Sequence, residues 1–473
     1  MRVIGVARCF RWRRQYRRQR ADPITLTLDA PRLDLSHFVG EVHLRYSAGA
    51  MTSFRFLHAA DLHIDSPLRG LEADPDAPAD RIRTATRAAY TNLVDLALRE
   101  QVAFVLIAGD LFDGEWQDWR TGQFFAQETA RLTRAGIRVF CIRGNHDAAS
   151  VVTGRLALPD GARMLPTDQP ASIRLAELNV VIHGMGFSDR SVPENVVPRY
   201  PSPLAGHLNI GMLHTSATDR GTHETYAPCS VAQLIAHGYD YWALGHVHAR
   251  QELARTPCWI VFPGNTQGRH IRETGPKGAT LVTVQDGHIV DVAHRDLDVV
   301  RWALLPVDLA HATTEDDAFA AVRVQLDTAL DAAGDRLLAV RVVLQGATTV
   351  HPALVRDLGA TRDKLHAEAA SCAGTGTIWL ESVEVRTRTT LDRAAMRARS
   401  DAVGLLVREL DNATPGQFAT EVQSYCAALL NRARLLRDEL GTDHPAVQAA
   451  AGTISSELLE SARNLLLARL AEG

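Results

Sequence analysis

The sequence contains no apolar run longer than Val102–Ala108, far short of the ~20 residues a membrane-spanning helix needs. It has no CxxC pair, because Cys9, Cys141, Cys229, Cys258, Cys372 and Cys426 lie far apart. That argues against a disulfide framework or a thiolate zinc site, and it fits a reducing, cytoplasmic compartment. Lysine is almost absent: only Lys277 and Lys364 stand among 51 basic residues. There is no internal repeat and no low-complexity tract. With 46% hydrophobic and 22% charged residues the chain is neither disordered nor collagen-like. At ~150 residues per domain, its length suggests about three domains.

The net charge of −4 conceals an asymmetry. Residues 1–50 hold ten of the 51 basic residues and four of the 55 acids, so residues 51–473 stand at −10. A module that follows nucleic acid by charge alone is normally basic. Contact with DNA or RNA is therefore expected to be local, metal-mediated or shared with a partner. Met1–Arg20 carries eight arginines and no acid, and it lacks the apolar region of a secretory signal. An Arg-rich start suits a transit peptide or a basic tail. Residues 1–50 show no coherent period, however, and Met51 directly precedes the first clean strand. The expectation is a non-native or disordered extension, with the native start at Met51.

From Phe54 onward, strand-like runs alternate with helical ones. Phe54–Ala59, Val102–Ala108, Ile137–Ile142, Leu208–Leu213, Tyr239–Leu244 and Ala279–Val284 are predicted strands, and Arg81–Arg99 and Phe124–Arg134 are predicted helices. This alternation implies an α/β core with helices covering a sheet. Pro193–Pro203 is expected to be a surface loop. Beyond about Leu297, Trp302–Leu309, Thr314–Ala333, Leu337–Leu344 and Ile378–Arg386 predict a small α+β unit. From Leu391 the pattern is helical and leucine-rich, which fits either core packing or a partner-binding face.

Five strings carry chemistry, and nearly all follow a predicted strand: Asp61-Leu62-His63, Gly109-Asp110-Leu111-Phe112-Asp113, Gly144-Asn145-His146-Asp147, Leu213-His214 and Gly245-His246-Val247-His248. Loops at the carboxyl ends of strands are where open α/β sheets gather a site. Alone, each string has an ordinary explanation: an Asp-x-His can be a capped turn, and a lone His such as His214 a packed core residue. Five in order point to a shared site. Imidazole and oxygen donors without thiolate suit Mn²⁺, Fe or Zn²⁺.

Together the strings resemble the calcineurin-like metallophosphoesterase pattern. The resemblance implies an α/β sandwich binding two divalent metal ions, with a small α+β capping domain and a C-terminal helical region. Asp61, His63, Asp110 and His248 would hold one metal, while Asp110, Asn145, His214 and His246 would hold the second. His146 would serve the departing oxygen, with Asp147 orienting its ring. Asp113, Arg143 and Arg269 are candidate substrate contacts. Asp65 is expected to be a turn residue, and His183, His223 and His270 lie outside the ligand set.

Gly-Asp-Leu-Phe-Asp and Gly-Asn-His-Asp resemble the SbcD-type DNA repair nucleases more than phosphoprotein phosphatases. The stretches His58–Gly70, Tyr239–His248 and Pro263–His270 resemble the YhaO-type branch. That resemblance implies an Mn²⁺-dependent DNA exonuclease working with an SMC-like coiled-coil ATPase docked on the C-terminal helices, and a homodimer. Archaeal and eukaryotic relatives commonly place His where Asp113 stands, so strand preference does not carry over. The expected divisions are 1–50, a catalytic domain 51–298, a capping domain 299–390 and a partner-binding region 391–473. Two rivals remain: hydrolysis of a small nucleotide or nucleotide-sugar, and a silent scaffold, against which stands the full ligand set.

Overall fold

The fold is described from a computed structural model for residues 53–66, 77–113, 119–148, 156–217, 226–373, 377–390, 393–412 and 414–432, and for 440, 444–456, 458–460, 462–463 and 466. The expectations for residues 1–50 and for His223 lie outside these. Two six-stranded sheets face each other. The first contains β1 (Phe54–Ala59), β2 (Phe104–Ala108), β3 (Arg138–Ile142), β4 (Ala162–Met164), β11 (Gly278–Gln285) and β12 (His288–Asp296), in the order β12-β11-β1-β2-β3-β4. The second contains β5 (Ala171–Leu175), β6 (Val180–Gly184), β7 (Leu208–His214), β8 (Tyr241–Gly245), β9 (Gln251–Ala254) and β10 (Trp259–Phe262), in the order β5-β6-β7-β8-β10-β9.

The period of two along each strand builds the layers. Phe56, Phe104, Leu106 and Ala108 point between the sheets, where they meet Ile210, Met212, Tyr241 and Ala243. Their neighbours Leu57, Val105 and Ile107 point outward. There they pack against helix α1 (Ala79–Arg99), through Tyr90 and Leu93, and helix α2 (Trp119–Arg134), through Phe125 and Leu132. Trp242 and Leu244 turn to the far side of the second sheet. The stretch Pro193–Pro203 runs over the surface, with Pro193, Glu194, Pro198, Arg199, Ser202 and Pro203 exposed, and is anchored inward at three residues. Val196, Val197 and Tyr200 within it are buried in the apolar cluster around Trp242, and the Tyr200 hydroxyl donates to the Met212 carbonyl at 2.7 Å.

A buried polar link ties the sheets together. His58 Nε2 lies 3.1 Å from the Leu244 carbonyl and must donate there, so its Nδ1, 3.0 Å away, accepts from the Tyr241 hydroxyl. Burial pushes the His58 ring down to about 3 from the ordinary 6.5, against the Leu244 carbonyl, with Arg250 adding to the drop. The unfolded chain thus takes up this proton near pH 6.5 and the folded chain only near 3, so stability is lost as pH falls through that window. His58→Gln is expected to flatten the fall in stability below pH 6.5 in urea melts. An unchanged slope would remove His58 as its source.

A third, parallel sheet follows, formed by β13 (Val300–Asp308), β14 (Leu337–Thr348) and β15 (Ile378–Thr389) in the order β13-β14-β15. Pro306 is tolerated because β13 is an edge strand. Helix Glu315–Ala333 begins at a capping box in which Thr314 and Asp317 bond each other's backbone N–H. The expected division at 298 falls between β12 and β13. Val300, Trp302, Leu337, Ala339 and Trp379 pack on Ile82 and Ala85 of α1, so this unit is joined to the sandwich through an apolar contact.

Helices Ala402–Asn412 and Ala419–Arg432 follow. The leucine pattern there is not core throughout: Leu430 is buried, but Leu405, Leu406 and Leu429 are exposed, and Tyr425 is 72% exposed. Among the described residues, no helix is long and apolar enough to cross a membrane.

Candidate metal centre

The five strings meet at one edge of the sandwich. Asp61 and His63 follow β1, Asp110 and Asp113 follow β2, and helix α3 (Asn145–Ala148) starts just past β3. His214 ends β7, and His246 and His248 follow β8. Four of these residues adopt positive φ: Asp61 at 52°, His63 at 44°, Asp110 at 52° and His246 at 104°. Such backbone is held only where neighbours over-determine it. Here Asp61 N–H donates to the Gly109 carbonyl and His63 N–H to that of Asp110, while the Asp61 carboxylate accepts from His246 N–H. The motif glycines follow from crowding. A Cβ on Gly144 would lie 2.2 Å from Asp110 Oδ1, and one on Gly245 would lie 2.0 Å from the Ala108 carbonyl oxygen.

The donor set fits metal binding on hydrogen-bond logic alone. His63 Nδ1 is 2.8 Å from Asp113 Oδ1, and His248 Nδ1 is 2.7 Å from Glu273 Oε1. A carboxylate only accepts, so both rings spend their proton there. Their Nε2 lone pairs then face each other at 3.1 Å, an arrangement that calls for a cation. His214 repeats the pattern. Its Nδ1 donates to the Ala108 carbonyl at 2.9 Å, which leaves Nε2 facing Asn145 Oδ1 at 2.9 Å and Asp110 Oδ2 at 3.4 Å. His246 Nδ1 is 3.2 Å from the same Asn145 oxygen. Asp110 Oδ2, also 3.8 Å from His63 Nε2, sits between the two clusters. Three groups of ligand atoms lie within 4.8 Å of one another: those of Asp61, His63 and His248, of His63, Asp113 and His146, and of Asp61, Asp110 and His214.

Charge follows the same division. Burial keeps the His63 ring below its ordinary value, helped by Arg269, which leaves it a neutral ligand. For His214 burial opposes the charged ring, but the Asp110 carboxylate wins and pushes it up to about 9. That position attracts a positive charge, and a metal ion would take it by displacing the proton.

Three sequence expectations change. Asp147 does not orient the His146 ring; its buried carboxylate accepts from the backbone N–H groups of Gly144, Leu111 and Phe112. Burial, then the nearby Asp110 charge, pushes it up to about 7. The carboxylate on His146 is Asp113, whose Oδ1 is 3.1 Å from His146 Nδ1. Asp113 was expected to meet substrate, yet it is occupied by His63, His146 and Arg269. Arg269 likewise turns to Asp113 and Glu273.

Glu273 was missed, because nothing in its spacing marks it. Only the need of a ligand histidine for a partner on its second nitrogen could have pointed to an acid there. Arg143 is half-buried just before Gly144. Asp65, at φ 59°, holds Arg87 and Thr121 as a turn residue. His183 is buried against Ser172 and Asn209. His270 is half exposed.

Residues 54–250 match the calcineurin-like phosphoesterase family, and residues 302–388 match the middle domain of metallophosphoesterase YhaO. The chain is 36% identical over 299 residues to "Uncharacterized metallophosphoesterase YhaO" of Bacillus subtilis, covering 63% of this chain and 72% of that protein. It belongs to the calcineurin-like metallophosphoesterases. Two archaeal proteins, each named "DNA double-strand break repair protein Mre11", are more distant. That of Aeropyrum pernix is 27% identical over 48% of this chain, and that of Sulfolobus acidocaldarius 26% over 42%. The aligned regions span only 57% and 50% of those proteins. Calcineurin-like phosphoesterases are metal-dependent hydrolases with a dimetal centre. In this member, the clusters around Asp110 are the residues that would hold the two ions.

Proposed function

We propose that the protein is a two-metal, Mn²⁺-dependent phosphodiesterase that cleaves DNA from an end. The observation that carries the catalytic reading is the placement of His146. Its Nδ1 lies 3.1 Å from Asp113 Oδ1, and its side chain is 44% exposed beside the ligand cluster. The Asp113 hydrogen bond raises its affinity for a proton, against burial. His146 Nε2 can therefore hold a proton toward solvent and give it to the oxygen leaving phosphorus. When bound, two ions lower the pKa of a water and clamp the oxygens of an in-line displacement. Buried Asp61, His63, Asp110 and His214 would keep those ions fixed.

A diester is favoured over a terminal phosphate because both Arg269 amino groups are taken by Asp113 and Glu273. DNA is favoured by the resemblance to the Mre11 proteins and by the middle unit packed on α1. Arg143 remains the candidate phosphate contact. The exposed Leu405, Leu406, Tyr425 and Leu429 support docking of an SMC-like coiled-coil ATPase, which would supply the basic surface that the acidic body lacks. The composition fits a cytoplasmic setting.

The test is loss of end label from linear double-stranded DNA with Mn²⁺, beside circularised DNA and a nucleotide-sugar. Cleavage that requires both an end and Mn²⁺ is expected. Turnover of the nucleotide-sugar alone would replace this reading with the small-molecule one.

A further inference from the structure

Arg269 lies in the connection between β10 and β11, and its side chain is only 13% exposed. One amino group donates to Asp113 Oδ2 at 3.0 Å and to Ser66 Oγ at 3.3 Å; the other donates to Glu273 Oε1 at 3.2 Å. The connection is itself anchored. Arg269 N–H donates to Glu273 Oε2 at 2.8 Å, and the Trp302 indole donates to the Gly268 carbonyl at 2.9 Å. Gln267 Nε2 donates to the Val300 carbonyl at 2.7 Å. The guanidinium thus joins two carboxylates from different parts of the chain. Each of those carboxylates holds the Nδ1–H of one candidate ligand imidazole, Asp113 that of His63 and Glu273 that of His248, and Asp113 Oδ1 also lies 3.1 Å from His146 Nδ1. Among the described residues, the hydrogen bonds and ion pairs of the Arg269 guanidinium go to Ser66, Asp113, Glu273 and His248, all on the His63–His248 side of the site.

We infer that Arg269 is a positioning residue for one half of the metal centre: by clamping Asp113 and Glu273 together it aims the Nε2 atoms of His63 and His248 at a single ion. The inference rests on the two-metal reading above. Without the guanidinium, two carboxylates of like charge flank the histidine pair with no cation between them, and both rings lose a fixed orientation. Removal of such an outer partner typically weakens metal binding about 10–100-fold. The loss falls on the His63–His248 ion and spares the one beside Asn145, His214 and His246.

The test is an Mn²⁺ titration of the full chain followed by the paramagnetic resonance signal of free Mn²⁺, with circular dichroism as the folding control. Wild type is expected to take two ions. R269M should hold one ion as wild type does and the other about 10–100-fold more weakly. R269K keeps the charge but not the fork, so it should recover part of that loss, and it carries the test if R269M does not fold. Two ions held at wild-type affinity by both variants, or equal weakening of both ions, would overturn the inference and leave the two-metal reading standing. A wild-type protein that takes up no Mn²⁺ would overturn both.

Discussion

His146→Ala is expected to lower Mn²⁺-dependent cleavage by about 10²–10⁴-fold, while two ions still bind. The separation follows from geometry. His146 reaches the site beside Asp113, at 3.1 Å, and its ring is not in either donor group that contains Asp61, though it does group with His63 and Asp113. Losing it removes the proton donor for the departing oxygen without taking a ligand away. In barrier terms that is about 3–5 kcal/mol, at roughly 1.4 kcal/mol per tenfold. Asp113→Asn should behave differently, because Asp113 also holds His63 at 2.8 Å. That variant should lose both rate and affinity for one ion. Parallel measurement of DNA cleavage and bound Mn²⁺ separates the two, and full activity in His146→Ala would move the proton donor elsewhere.

Asp110→Asn should have the larger effect on metal content. The Asp110 Oδ2 atom lies 3.4 Å from His214 Nε2 and 3.8 Å from His63 Nε2, so both clusters share it. Burial alone would favour the neutral acid, yet His214, then His63 and His146, hold this carboxyl well below the usual carboxylate range. An amide removes the shared charge from both halves at once. Bound Mn²⁺ after dialysis, read by elemental analysis, is expected to fall from two ions per chain to one or none. Cleavage should fall at least as far as in His146→Ala. Two ions retained by Asp110→Asn would show that Asp110 does not bridge.

The sequence was most legible where one period dominates. The outward and inward sides of β1 and β2 follow directly from alternate residues, and α1 buries Ile82, Ala85, Ala89, Leu93 and Leu96 as its spacing requires. Strands such as β9 and β12 were not foreseen, because they are short or half exposed and carry no clean alternation. The same contrast runs through the site. The residues that meet around Asp110 were legible because each stands in a short motif at a strand end. Their supports were not, because a hydrogen bond to a second ring nitrogen leaves no trace in spacing. Glu273 went unnoticed for that reason, and Asp147 was given a role that Asp113 fills. Its adjacency to His146 in sequence puts it on the opposite side of the turn, where it ties the backbone of Gly144 to that of Leu111 and Phe112.

The central claim is that one buried carboxylate joins two metal positions. Anomalous scattering at the manganese edge, from a crystal of the full chain grown with Mn²⁺, tests it most directly. The account predicts two peaks ~3.5–4 Å apart, both touching Asp110. One should lie between His63 and His248, and the other among Asn145, His214 and His246. A single peak, or two that do not share Asp110, would contradict it.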